Sequence, residues 1–126
     1  MAKAFLIMAA ISGLLAVVIG AFGAHGLKSR LAEDLLTVYH TGVQYHFYHT
    51  LALMAVGILL LRYPEAAMLN WSGWLFSAGI LVFSGSLYVL AVTGIRWLGA
   101  ITPIGGLAFI AGWLCLVIAI FKHVDV

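Results

Sequence analysis

The sequence predicts an all-α integral membrane protein: four transmembrane helices in a bundle, with a short amphipathic interfacial helix after the first span. Three observations carry this. Hydrophobic residues make up 65% of the 126 residues and charged residues only 8%. Mean hydropathy is +1.18. The few charges sit between long apolar runs, at Lys28 to Asp34, Arg62 to Glu65, Arg96, and Lys122 to Asp125. A soluble core of this size has no room to hide so much apolar surface, so the excess must face lipid. The length suits one domain over residues 1–126.

The first span is read from about Ala4 to Ala24. Lys3 ahead of an apolar stretch, and Ala21-Phe22-Gly23-Ala24, loosely imitate a signal peptide. The run is too long for an h-region and long enough to cross a bilayer. Gly26 is placed to cap this helix in the left-handed conformation. From Leu27 to Leu36 the leucines recur at spacings of four with charges between them, the pattern of a helix lying in the interface. The second span is clearest from Gly42 to Leu61 and is stopped by Arg62-Tyr63-Pro64. The third runs from about Ala66 to Val92, with Pro64 and Glu65 suited to its first turn. The fourth takes Thr102 as N-cap and Pro103 as first helical residue, and reaches Lys122 after roughly 30 Å. Four spans put both termini on one side. Lys3, Arg62 and Lys122 fall on that side, and Lys28, Arg30 and Arg96 on the other. The positive-inside rule is therefore tied, and the N-terminal amine tips it toward cytoplasmic termini.

Composition also narrows function. The net charge of +2 comes from few groups and forms no dense basic patch, which argues against nucleic acid as a partner. The lone Cys115 lies inside an apolar run and reads as a packing residue. No Asp or Glu lies inside a span, so coupling through an intramembrane carboxylate is not expected. No glycine-rich phosphate loop, metal-binding cysteine pair or nucleophile–base pair is visible in the sequence. No catalytic residue, metal ligand set or cofactor is assigned. Small residues recur at helical spacing: Ser12, Ala16, Gly20 and Ala24 in helix one, Gly73, Ser77 and Ser84 in helix three, Ala108 and Gly112 in helix four. They mark close helix packing. Because they lie on more than one side, they predict a homo-oligomer, with the helix-one or helix-four face at the contact.

The chemically dense segment is Tyr39 to Thr50, which carries three of the five histidines and three of the five tyrosines. At about 100° per residue, His46 and His49 share a face and His40 points away, so the three cannot form one metal site on a straight helix. Two readings stand side by side: an interfacial anchor and packing network, or a site for a ligand, a proton or a metal. The candidate site residues are His46 and His49, with Ser84 and Tyr88 on a matching face of helix three. Counting depth along the two helices predicts that these faces meet, with at least one histidine nitrogen bonded to a group on helix three or four. Burial without a carboxylate predicts neutral rings. Trp113 needs a partner for its indole N–H and is expected to mark a helix contact.

Four strings, Gly20 to Leu27 (GAFGAHGL), Tyr39 to His46 (YHTGVQYH), Phe83 to Tyr88 (FSGSLY) and Gly99 to Gly106 (GAITPIGG), resemble the YgdD/YwdK-type small membrane proteins, a family of unknown function. The resemblance covers essentially the whole chain. It implies a four-span protein of the bacterial inner membrane and supplies no substrate, activity or site residue. The expected function is that of a small non-enzymatic accessory or assembly protein working in the lipid bilayer through helix–helix contacts, with itself or with a membrane-protein partner. The alternative is a small-ligand, cofactor, proton or metal site on the His/Tyr cluster, with haem, a quinone or a metal ion among the groups that would fit.

Overall fold

In the computed structural model, which describes residues 1–125, the chain is helical almost throughout. Helix α1 (Ala2–Phe22) runs into a wider π-helical turn at Gly23–Leu27. Helix α2 (Glu33–Arg62) follows as the longest element. The third crossing consists of α3 (Ala67–Gly79), a π-helical turn at Ile80–Ser84, and α4 (Gly85–Thr93). A tight 3-10 turn at Arg96–Ala100 then leads into α5 (Thr102–His123). The result is four helical stretches long and apolar enough to cross a membrane.

Helix α2 is the hub. In its most apolar window 44% of residues are buried, against 17% for the first stretch. Its small and polar side chains explain this, because they let neighbours approach closely. Gly57 accepts the Leu6 side chain and Gly42 accepts the ring of Tyr88. Helix α1 lies mainly on α2, with Gly20 against Val43 and Gly13 near Thr50. It also reaches α3 through Phe5, whose ring fills the space a Gly73 side chain would need. Helix α5 packs on the third crossing at Gly79, Gly105 and Gly112. One apolar core joins Phe5, Leu53, Val56, Leu69, Phe76 and Phe109 in the half nearer the termini, and a smaller cluster holds Leu27, Tyr39 and Ala91 near the loops on the other side.

Several sequence expectations change in detail. The segment from Leu27 to Leu36 is not a separate interfacial helix. Leu27 closes the π-helical turn, its carbonyl accepts from the Arg30 and Leu31 amides, and Ala32 is extended. Helix α2 then starts at Glu33, nine residues before Gly42. Two carboxylates in its first turn offset the exposed N–H groups and favour an early start. The leucine pattern reflects burial all the same: Leu27 is buried, and Leu31 and Leu36 pack against its cluster. Gly26 keeps a negative φ inside the π-helical turn, because the chain widens there instead of ending in a left-handed cap. The left-handed cap is Gly94, φ 74°, which closes α4. Pro64 and Glu65 form the turn before α3, with Ala66 as N-cap. Thr102 is the first helical residue of α5, and its hydroxyl bonds Ser86 at 2.6 Å, so it is not free to cap.

The small-residue faces expected at an oligomer contact are largely used within the chain. Ser12, Ala16 and Gly20 turn toward α2 or are buried, and Gly112 lies against Phe76.

Candidate functional site

Gly42 governs the polar centre. A Cβ at this position would stand 2.8 Å from Tyr88 Cε1, so only glycine lets the Tyr88 ring lie across α2. The ring then reaches one turn along α2, and its hydroxyl meets His46 Nδ1 at 2.8 Å. The other ring nitrogen of His46 lies 2.9 Å from Ser12 Oγ on α1, which in turn is 2.6 Å from Thr50 Oγ1. Tyr88, His46, Ser12 and Thr50 thus form a continuous chain of hydrogen bonds tying α4, α2 and α1 together. Ser84 donates to the Gly42 carbonyl at 2.7 Å, and Tyr39 donates to the Ile19 carbonyl at 2.6 Å.

His49 belongs to a different setting. Its Nε2 accepts from the Trp113 indole N–H on α5 at 3.0 Å, which requires the hydrogen to sit on Nδ1. That Nδ1–H donates to the Tyr45 carbonyl at 2.8 Å. The ring is stacked on Phe109, centroids 3.5 Å apart and planes within 9°, with Phe76 and Trp113 on its flanks. Every hydrogen-bonding position of this imidazole is filled by protein, in one tautomer.

The predicted face is therefore divided. The structure brings His46 to Tyr88 and places Ser84 one helical turn away, against Gly42 instead of either histidine. His49 turns to the last helix, while His40 is exposed. Counted from Gly42, where the second span is clearest in the sequence, His49 falls level with Ser84. With α2 starting at Glu33, the Ser84–Gly42 bond sets the register, and Thr93 at the end of α4 is level with the first turn of α2. Sequence reasoning missed Ser12 and Thr50 as partners. The signal was present in the helix-one stripe, where Ser12 is the polar member of a row facing α2.

Ser12 and His46 also form a hydroxyl–imidazole contact that the 34-residue separation concealed. In a hydrolytic triad the far imidazole nitrogen is held by a carboxylate that stabilises the imidazolium. Here that position is taken by the neutral phenol of Tyr88. Among the described residues no cluster of three or more His, Cys, Asp or Glu is placed to hold a metal.

Beside this chain lies a cavity of about 360 Å³ between α1 and the third crossing, lined by Ser12, Leu15, His46, Ser77, Leu81 and Tyr88 among others. Its walls are mostly carbon. Leu81, 76% exposed, stands at its rim on the lipid-facing surface. The π-helical turn at Ile80–Ser84 contributes Ile80 and Leu81 to the lining, and such turns often accompany functional sites.

Residues 19–106 match the family model described as "Protein of unknown function (DUF423)". The chain belongs to this family. Among DUF423 relatives, the UPF0382 membrane protein YwdK of Bacillus subtilis (strain 168) is 52% identical over 121 residues, covering 96% of this chain and 98% of the relative. The UPF0382 membrane protein SH2409 of Staphylococcus haemolyticus (strain JCSC1435) is 49% identical over 122 residues, covering 97% and 98%. A Staphylococcus saprophyticus relative, SSP2132, is 51% identical over 120 residues, covering 95% and 98%. No solved structure matches. The DUF423 assignment agrees with the resemblance read from the four strings and with a membrane protein of four helical spans.

Proposed function

We propose that this DUF423 protein is a single four-span unit of the bacterial inner membrane, with cytoplasmic termini, that serves without catalysis as an accessory or assembly protein through contacts inside the bilayer. One observation carries the reading. The buried side chains of His46, His49, Ser72, Ser84 and Ser86 bond to groups in the chain itself, all five across helices, and Asn70 Oδ1 is the buried side-chain oxygen left without a partner among the described residues. Large apolar side chains meanwhile face outward along α1 and α5, including Leu14, Val18, Leu107 and Ile110. A bundle whose buried polar groups are met largely by its own bonds, and whose outside is apolar, works by what it packs against. The partner is a second copy of the chain or another membrane protein.

Photo-crosslinking residues placed at Leu14 and Val18 on α1, and at Leu107 and Ile110 on α5, test this in native membranes. The expected result is a protein adduct of defined mass confined to one of these faces, with twice the chain mass indicating self-association. Adducts to lipid alone from all four positions would refute it.

A second reading, a small-ligand site on His46 and Tyr88, is favoured by the cavity that borders them.

A further inference from the structure

Resting on that second reading, we infer that the cavity between α1 and the third crossing binds one membrane-soluble molecule that carries a carbonyl oxygen, held by the Tyr88 hydroxyl. Three observations point there.

The first is shape. The lining runs from Met8 to Ile19 on α1 and from Ser77 to Tyr88 on the third crossing. Eleven helical steps on each side give a slot roughly 16 Å long, parallel to the helices. A volume of about 360 Å³ lies within the range of ligand sites. The slot is large enough for a chain or a small ring with a tail. Its rim at Leu81 faces lipid, which sets the route of entry.

The second is the hydrogen count. Tyr88, neutral His46, Ser12 and Thr50 hold four polar hydrogens, and the three bonds between them use three. Three arrangements satisfy all three bonds. In one, the hydrogens point from Tyr88 toward Thr50, and Thr50 keeps the spare one, outside the cavity lining. In another, Ser12 accepts from both His46 and Thr50, and the spare hydrogen is on Ser12. In the third, the whole chain is reversed, His46 Nδ1–H donates to Tyr88, and the Tyr88 O–H is free to donate to a further acceptor. Ser84, one turn earlier, commits its hydrogen to Gly42, and its oxygen is the competing acceptor within the protein for the Tyr88 O–H. An acceptor oxygen in the cavity beside Tyr88 selects the third arrangement.

The third is Gly85. A Cβ built there meets nothing within 4 Å, although the residue lies within the third crossing and lines the cavity. Close helix approach does not require glycine at this position, and its absent side chain keeps the slot open.

The carbonyl could belong to a quinone or to the ester of a glycerolipid, and the test separates them. The full chain is purified in mild detergent and examined by native mass spectrometry with decyl-benzoquinone, with dioleoyl phosphatidylglycerol, and with dodecane as a carbonyl-free control. The expected result is one adduct per chain with one of the two carbonyl compounds. Tyr88→Phe keeps the ring over Gly42 and should weaken that adduct roughly tenfold, the effect of one lost hydrogen bond. Dodecane retention should not change. Gly85→Phe fills the slot and should abolish the adduct, and Leu81→Trp at the rim serves if Gly85→Phe does not fold. Unchanged carbonyl binding in Tyr88→Phe, with loss in Gly85→Phe, overturns Tyr88 as the holding group and leaves the cavity as a ligand site. Adducts that survive both Gly85→Phe and Leu81→Trp, or the absence of any adduct with either carbonyl compound, overturn the inference; in the first case the cavity itself is no longer a site.

Discussion

Substituting Gly105 and Gly85 by alanine makes the same chemical change in two helices, and the structure requires opposite outcomes. A Cβ on Gly105 would stand 2.7 Å from Phe83 Cα and would also strike the Phe83 amide nitrogen. These are backbone atoms in the π-helical turn, so no rotamer change relieves the clash. Restoring ordinary contact, about 3.5 Å or more between carbons, needs the helices to move apart by close to 1 Å. A gap of that size forfeits a quarter to a half of the dispersion energy of the atoms facing it. Overpacking of this kind typically costs about 1–3 kcal/mol. Alanine returns up to about 1 kcal/mol through its helix preference, leaving Gly105→Ala destabilised by about 1 kcal/mol net, within a range of roughly 0–2. At Gly85 the clash is missing, and the same preference acts alone. Thermal unfolding in detergent, followed by the helical circular dichroism signal, should show Tm several degrees lower for Gly105→Ala and unchanged or raised for Gly85→Ala. Equal shifts for the two variants would refute the packing argument.

Other expectations follow from the same contacts. His49→Phe leaves the Trp113 N–H without its acceptor, and Trp113→Phe leaves His49 Nε2 without its donor; each should cost about 1–3 kcal/mol. The double variant should cost less than their sum, by a coupling of roughly 0.5–3 kcal/mol in a double-mutant cycle. Ser72→Ala removes the buried donor to the Gly112 carbonyl, a 2.9 Å bond between the third and fourth spans. Its loss should lower stability by about 0.5–1.5 kcal/mol, measured by the same melt. Asp34→Asn breaks the exposed pair with Arg96, 2.9 Å apart, and should leave Tm unchanged within error, because solvent screens such pairs.

Apolar runs set the number of spans and their order, because bilayer thickness leaves little freedom in helix length. Element ends were harder to read. Glu33 and Asp34 look like interfacial charges in the sequence, yet they serve as the first turn of α2. That shift of nine residues moved the register between α2 and the third crossing. The π-helical turn at Ile80–Ser84 has no signature in Ile-Leu-Val-Phe-Ser and lies directly against Gly105 of another helix. Tyr88 was legible as a site residue because it shares a face with Ser84. Ser12 was legible only as a small residue, since its partner His46 lies 34 positions away. The separation of His46 from His49 depends on where α1 and α5 sit around α2, which periodicity within one helix does not specify.

The central position of α2 has a consequence for biogenesis. Its polar groups take partners from every other span, and those spans leave the ribosome in a fixed order. Ser12 precedes α2 and can meet His46 and Thr50 as soon as α2 is inserted. Tyr88 and Ser84 arrive with the third crossing, and Trp113 reaches His49 only when the last helix is made. Each span thus joins a hub that still holds an unmet hydrogen-bonding group, and the satisfied bundle exists only after synthesis is complete. A chain stopped after Thr93 should therefore keep the Ser12–His46 contact, while His49 stays open to lipid-soluble modifying reagents from which the full chain protects it.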